Sequence, residues 1–165
     1  MGEFWYSSNM EVVLAKKEEV LQIAQIYVDA FASAPSEHWT KETAENLLNY
    51  WFQKQPDLFF IAIDDNKIVG GITMGVKPWW DGNRLQDGEL FVAPECQKQG
   101  VGKQLLKRVL KEAISRYQVS TLEGITFSSD SFPRTWYEKI GLKKSDDLII
   151  VTGDCQKILS ELEFN

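Results

Sequence analysis

The chain has 165 residues, is 44% hydrophobic and carries a formal net charge of −6, which suits one domain with one core and speaks against the concentrated basic face that a nucleic-acid partner needs. No run of about 18 apolar residues exists to cross a membrane, and Met1-Gly2-Glu3-Phe4-Trp5-Tyr6 lacks the basic start and long apolar stretch of a secretory signal. Cys96 and Cys155 stand apart in no CxxC arrangement and His38 is the single histidine, so neither a disulfide framework nor a metal site is expected, and a cytoplasmic protein without membrane partner is.

Residues 1–9 read as a loose leader to a single domain spanning 1–165, with no repeat or linker to divide it. A short strand near Val12–Ala15 precedes a helix whose face is Val20, Ile23, Ala24, Tyr27, Ala30 and Phe31. Thr40 caps a second helix, Ala44, Leu47, Leu48, Trp51 and Phe52 form its stripe, and Pro56 ends it. Leu58–Ile63 and Ile68–Val76, joined by Asp64-Asp65-Asn66-Lys67, predict a β-hairpin. Pro78–Asn83 reads as a loop and Leu85–Val92 as a further strand. A helix over Val101–Tyr117, a strand over Thr121–Phe127, a short helix over Pro133–Ile140 and a strand at Leu148–Val151 follow. Asp154 caps a last helix through Leu162, unless those residues hold one more strand. The crossover from Leu85–Val92 through the helix to Thr121–Phe127 sets two strands parallel, so the sheet is mixed.

Between strand and helix lies Ala93-Pro94-Glu95-Cys96-Gln97-Lys98-Gln99-Gly100-Val101-Gly102-Lys103. The first N–H groups of a helix have no internal partner, and the helix dipole adds roughly half a positive charge there. Gly100 and Gly102 remove side chains that would hold a diphosphate away, and Lys98 and Lys103 add charge.

Here the chain resembles the GCN5-related N-acetyltransferase superfamily, whose pyrophosphate motif Gln/Arg-x-x-Gly-x-Gly/Ala is matched by Gln97, Gly100 and Gly102. Glu89-Leu90-Phe91-Val92-Ala93-Pro94 is similar to the strand before that motif, and Trp136-Tyr137-Glu138-Lys139-Ile140-Gly141-Leu142 to the family's Tyr-Glu-Lys-Leu-Gly-Phe segment. The resemblance covers about residues 86–145 and implies an α/β (α+β) fold: a mixed, mostly antiparallel sheet with a splayed parallel strand pair and helices on both faces. It also implies acetyl-coenzyme A as acyl donor. The backbone of Gln97, Lys98, Gln99, Gly100, Val101, Gly102 and Lys103 would hold the pyrophosphate, and the free edge of Leu90, Phe91 and Val92 the pantetheine arm. Asp130 stands where relatives often carry Asn, and its carboxylate can still accept from an amide N–H.

The same resemblance makes Tyr137 the acid that protonates the leaving thiolate, a phenol being protonated at neutral pH. Otherwise it is a packing residue. The ammonium of an acceptor must lose a proton before attack, and Glu89 or Asp87, alternating onto one strand face, can take it, Glu89 being nearer; water alone is the other course. Trp79, Trp80 and Asp81 either cage an organic cation or form a packing or dimer contact. Lys107 reads as solvated helix surface or as a partner for the coenzyme's 3′-phosphate, and His38 as an exposed loop residue.

The function expected is acetyl transfer to a primary amine of a small molecule: an aminoglycoside, a polyamine or an amino-acid derivative. The alternatives are a protein amine as acceptor, a non-catalytic acyl-coenzyme A sensor, and a dinucleotide-binding protein, whose G-x-G-x-x-G is absent. An exposed sheet edge near the terminus allows a homodimer.

Overall fold

A computed structural model of the protein describes residues 10–34 and 37–163, except for the side chain of Asp87. The leader expected at residues 1–9 lies outside them. The described residues form two compact units, one ending at Ile125 and the other beginning at Thr126. The first unit runs β1 (Glu11–Leu14), α1 (Val20–Phe31), α2 (Lys41–Lys54), β2 (Phe59–Asp64), β3 (Lys67–Trp79), β4 (Gly82–Val92), α3 (Val101–Tyr117) and β5 (Val119–Leu122). Its five strands lie in sequence order in one sheet. All neighbours are antiparallel except β4 and β5, which are parallel, so the mixed α/β class expected from sequence holds.

Alternation along β2 sorts the helices to the two faces. Phe59 and Ile61 are wholly buried among Ile23, Ala24 and Tyr27 of α1 and Ala44 and Leu48 of α2. Phe60, one residue over, turns the other way and lies under Arg108 of α3, 4.6 Å from its ring centroid. Thr40 starts α2 by accepting the Thr43 N–H at 3.2 Å. Truncating Leu48, which is wholly buried, to Ala would cost about 2–5 kcal/mol.

Asp65 and Asn66, with φ of 46° and 62°, close the β2–β3 hairpin with the left-handed pair that a two-residue turn demands. The expected loop at 78–83 is instead the tip of a second hairpin, with Pro78 opposite Asn83 and Trp79 opposite Gly82. β2 pairs with β3 only from Lys67 to Thr73. Beyond Thr73 the other edge of β3 is free of β2, so the missing N–H of Pro78 breaks no ladder.

Between the pairs Gly75–Gln86 and Thr73–Glu89, β4 holds one residue more than β3. This is a β-bulge at Asp87–Gly88. A Cβ on Gly88 would stand 1.9 Å from the Thr73 carbonyl oxygen, so only glycine fits. The bulge interrupts the two-residue alternation of β4 between Gln86 and Glu89. It also bends β4 out of pairing. β5 meets β4 only along Asn83–Leu85, with Glu123 N–H reaching Leu85 O at 2.9 Å as the last contact. The strand expected at 121–127 therefore falls at 119–122.

The second unit carries α4 (Arg134–Lys139) and α5 (Cys155–Glu163). Pro133 precedes α4 as its cap. Asp154 caps α5, its carboxylate accepting the Lys157 N–H at 2.9 Å, which decides for helix at the end. Leu148–Val151 is not a strand. A strand needs a neighbour to bond, and no described segment of this unit forms one.

Candidate functional site

β4 runs into a single 3-10 turn at Pro94–Cys96 and then into α3. Lys98 (φ 60°) and Gly100 (φ 88°) are left-handed, turns that fold successive N–H groups of the loop inward. The side chains of Gln97 and Gln99 brace this loop, donating to Val92 O at 3.1 Å and Glu95 O at 2.8 Å. What these residues offer a ligand is main chain. No side chain caps α3, whose buried Val101 leaves its N–H beside those of Gly102 and Lys103 at the positive end of a 17-residue helix. Gly102 has no packing reason to be glycine. A Cβ there meets only Val92 Cγ2 at 3.8 Å, although glycine in a helix costs about 1 kcal/mol against alanine. Lys98 and Lys103 are exposed beside Gly102.

Past the bulge, β4 has an edge that β5 does not cover. Ala93 N–H donates to Val69 O at 2.9 Å. By antiparallel alternation Phe91 then exchanges its bonds with Gly71, while Leu90 and Val92 turn their N–H and C=O groups to the open side. Of the three residues expected to meet a pantetheine arm, Leu90 and Val92 turn backbone to that side, the Val92 carbonyl already accepting from Gln97. Phe91 does not: its side chain is buried against Tyr27, ring centroids 5.2 Å apart.

Glu89 lies next to this edge and points to the α1 face. The Tyr27 hydroxyl donates to its Oε2 at 2.9 Å. Burial pushes the Glu89 carboxyl up to about 7, the Tyr27 bond works in the opposite sense, and the charge of Glu37 raises it further. Burial, then Glu89, push the Tyr27 phenol well above the ordinary tyrosine range, so it stays a donor. Tyr27 is wedged by Phe31, Trp39 and Phe91 at 4.7, 5.1 and 5.2 Å, and the Trp39 indole donates to Glu37 at 2.7 Å. A carboxylate of this kind accepts a proton near neutral pH.

The Trp79, Trp80 and Asp81 group sits elsewhere. Glu89 lies seven positions along β4 from Gly82, roughly 20 Å at the rise of a strand. Trp79 already has the Lys77 ammonium and the Arg84 guanidinium at 4.9 and 5.1 Å from its ring, and Asp81 pairs with Arg84 at 3.0 Å. Only Trp80, 87% exposed, is left open. Lys107 lines a groove of about 290 Å³ with Met10, Val12, Gln104, Arg108 and Lys111, and His38 is exposed.

In the second unit, Tyr137 lies on α4, its ring 5.1 Å from that of Trp136. Leu142 N–H closes α4 onto Tyr137 O at 3.0 Å. Asp130 is 84% exposed and 3.8 Å from Arg134, which also bonds Glu138 at 2.9 Å.

Sequence reasoning missed Tyr27, Glu37 and Trp39 as site residues. Tyr27 sits 62 positions before Glu89 and reads only as one more member of a helix stripe. The signal available was a polar tip within an otherwise apolar stripe.

The uncapped start of α3, the stretch of β4 that β5 does not cover and the raised carboxyl of Glu89 all belong to the first unit. The chain belongs to the acetyltransferase (GNAT) family, whose sequence model matches residues 17–142. An uncharacterized N-acetyltransferase of Archaeoglobus fulgidus is 25% identical over 111 residues, 65% of this chain and 76% of that one. A solved protein of Pyrococcus horikoshii OT3 is 24% identical with a TM-score of 0.70, covering 86% of this chain and 94% of its own. A predicted acetyltransferase from Clostridium acetobutylicum, solved with acetyl-CoA, is 16% identical with a TM-score of 0.65, covering 87% and 96%.

Proposed function

We propose that the protein moves an acetyl group from acetyl-coenzyme A to a primary amine of a small molecule. The observation that carries this reading is the uncapped start of α3, where among the described residues nothing fills the room that Gly102 leaves. The N–H groups of Val101, Gly102 and Lys103 would take the pyrophosphate, with Lys98 and Lys103 adding charge. Leu90 and Val92 would pair with the amides of the pantetheine arm, which runs the thioester toward Glu89. The acetyl-CoA in the solved structure of the Clostridium acetobutylicum protein agrees with this donor.

Glu89 acts as the base. It removes a proton from the acceptor ammonium, and the freed nitrogen lone pair attacks the thioester carbonyl carbon. The C–S bond breaks, and Tyr137 gives the departing thiolate its proton. Holding amine and thioester together contributes most of the acceleration, because a thioester needs little activation. An acidic acceptor face with an aromatic wall, Glu37, Glu89, Trp39 and Phe31, suits a cationic amine.

Thiol release on mixing the protein with acetyl-coenzyme A and a panel of small amines tests the reading directly. Release dependent on one amine class supports it. Binding of the coenzyme with no release across the panel, unaffected by Tyr137→Phe, would point to a sensor instead.

A further inference from the structure

The Glu89 carboxylate is held on one side only. Tyr27 occupies Oε2, and among the described residues the other oxygen has no hydrogen-bond partner. Tyr27 itself cannot turn away: it is 1% exposed and three rings hold its own in place. Directly across the ladder from Glu89 is Thr73. It is wholly buried and its hydroxyl has no partner among the described residues. Opposed residues of an antiparallel pair share a face, so an orphan hydroxyl and a half-held carboxylate stand on the same face of the sheet.

The titratable groups that act on Glu89 come from two elements: Tyr27 from α1 and Glu37 from the segment before α2. Thr73, from β3, is neutral. Glu37 is fixed in turn by the Trp39 indole at 2.7 Å, and Trp39 packs edge-on against Tyr27. The two influences are opposed. A donated hydrogen bond favours the charged carboxylate, and a neighbouring negative charge disfavours it.

We propose that Tyr27 is the positioning residue of Glu89, holding one carboxylate oxygen so that the other takes the proton of the acceptor amine. The role of Glu89 as base rests on the acyl-transfer reading above; the arrangement of the three residues does not. In the step itself the N–H bond of the ammonium breaks, its electron pair stays on nitrogen, and the proton passes to the free Glu89 oxygen. Tyr27 keeps its own proton throughout.

The test is the titration of Glu89 in the folded protein by carbon NMR of labelled glutamate, its signal assigned by loss in Glu89→Gln. Tyr27→Phe keeps the ring and its packing. It is expected to move the midpoint upward, by at least about threefold in proton affinity. Glu37→Gln is expected to move it downward. With acetyl-coenzyme A and an accepted amine, the acid limb of kcat/KM should follow the same two opposite shifts. Tyr27→Phe leaving the midpoint unmoved, or both variants moving it the same way, overturns the proposal. Titrations as expected in a protein that acetylates no amine would uphold the arrangement and count against the acyl-transfer reading.

Discussion

At the Gly82 end of β4, Arg84 bonds Asp81 and Glu123 and stands over the Trp79 ring, so the hairpin tip pairs its charges, with only the Arg84 Nε left without a hydrogen-bond partner among the described residues. At the Glu89 end the fold leaves work undone: a carboxylate lifted to about 7, a buried Thr73 hydroxyl without a partner among the described residues, and a strand edge that β5 does not reach. The bulge at Gly88 divides the two ends. Before it β4 has a parallel neighbour and self-contained ion pairs; after it the backbone is bent away and open. Groups that cost free energy to leave unsatisfied persist where a ligand completes them.

The comparison breaks most sharply at Glu89. Glu89→Gln should lower kcat/KM for amine acetylation by about 10²–10⁴-fold at neutral pH and leave coenzyme A affinity unchanged, measured by thiol release and calorimetry. Next comes the helix start. Gly102→Asp sets a carboxylate where the diphosphate would lie, and coenzyme A binding should weaken at least about tenfold, or 1.4 kcal/mol. Its stability should hold or rise, because an acid in the first turn of a helix adds about 0.3–1 kcal/mol. Loss of binding together with loss of fold would defeat that reading of Gly102.

The stability of the protein should also report Glu89. Its carboxyl takes a proton more tightly folded than unfolded, about 7 against an ordinary 4.5. That contribution is complete below 4.5 and is lost as pH rises through 7. Glu89→Gln carries no charge at any pH. Urea unfolding should find it more stable than the parent by on the order of 1–2 kcal/mol above neutrality, allowing for partial exposure, with the gap closing toward acid. The smallest effect belongs to the tip: Trp80→Ala should change stability by less than about 0.5 kcal/mol and kcat/KM by less than about twofold. A tenfold loss of activity there would return the tip to the acceptor site.

The coenzyme loop was legible because its determinants are local. A strand, two glycines and an amphipathic helix fall within a short stretch, and Gln97 and Gln99 brace the carbonyls of neighbours five and four residues away. Glu89 was legible as an acid on a strand, but not the pocket that tunes it, since Tyr27 and Glu37 arrive from distant segments through packing. Gly88 within a strand pattern was a readable sign of a bulge. Pro78 and Gly82 pointed to a loop, whereas cross-strand pairing of Lys77 with Arg84 extends the hairpin to its tip. Leu148–Val151 has strand chemistry without a strand neighbour in its unit, which no local pattern reveals.

Calorimetric titration of the folded protein with coenzyme A, run beside Gly102→Asp, goes straight to the main-chain cradle at the start of α3. Saturable binding below about 1 mM that the substitution weakens at least tenfold is the predicted result. No heat of binding from a protein whose circular dichroism shows an intact fold, or equal affinity in both chains, would contradict it.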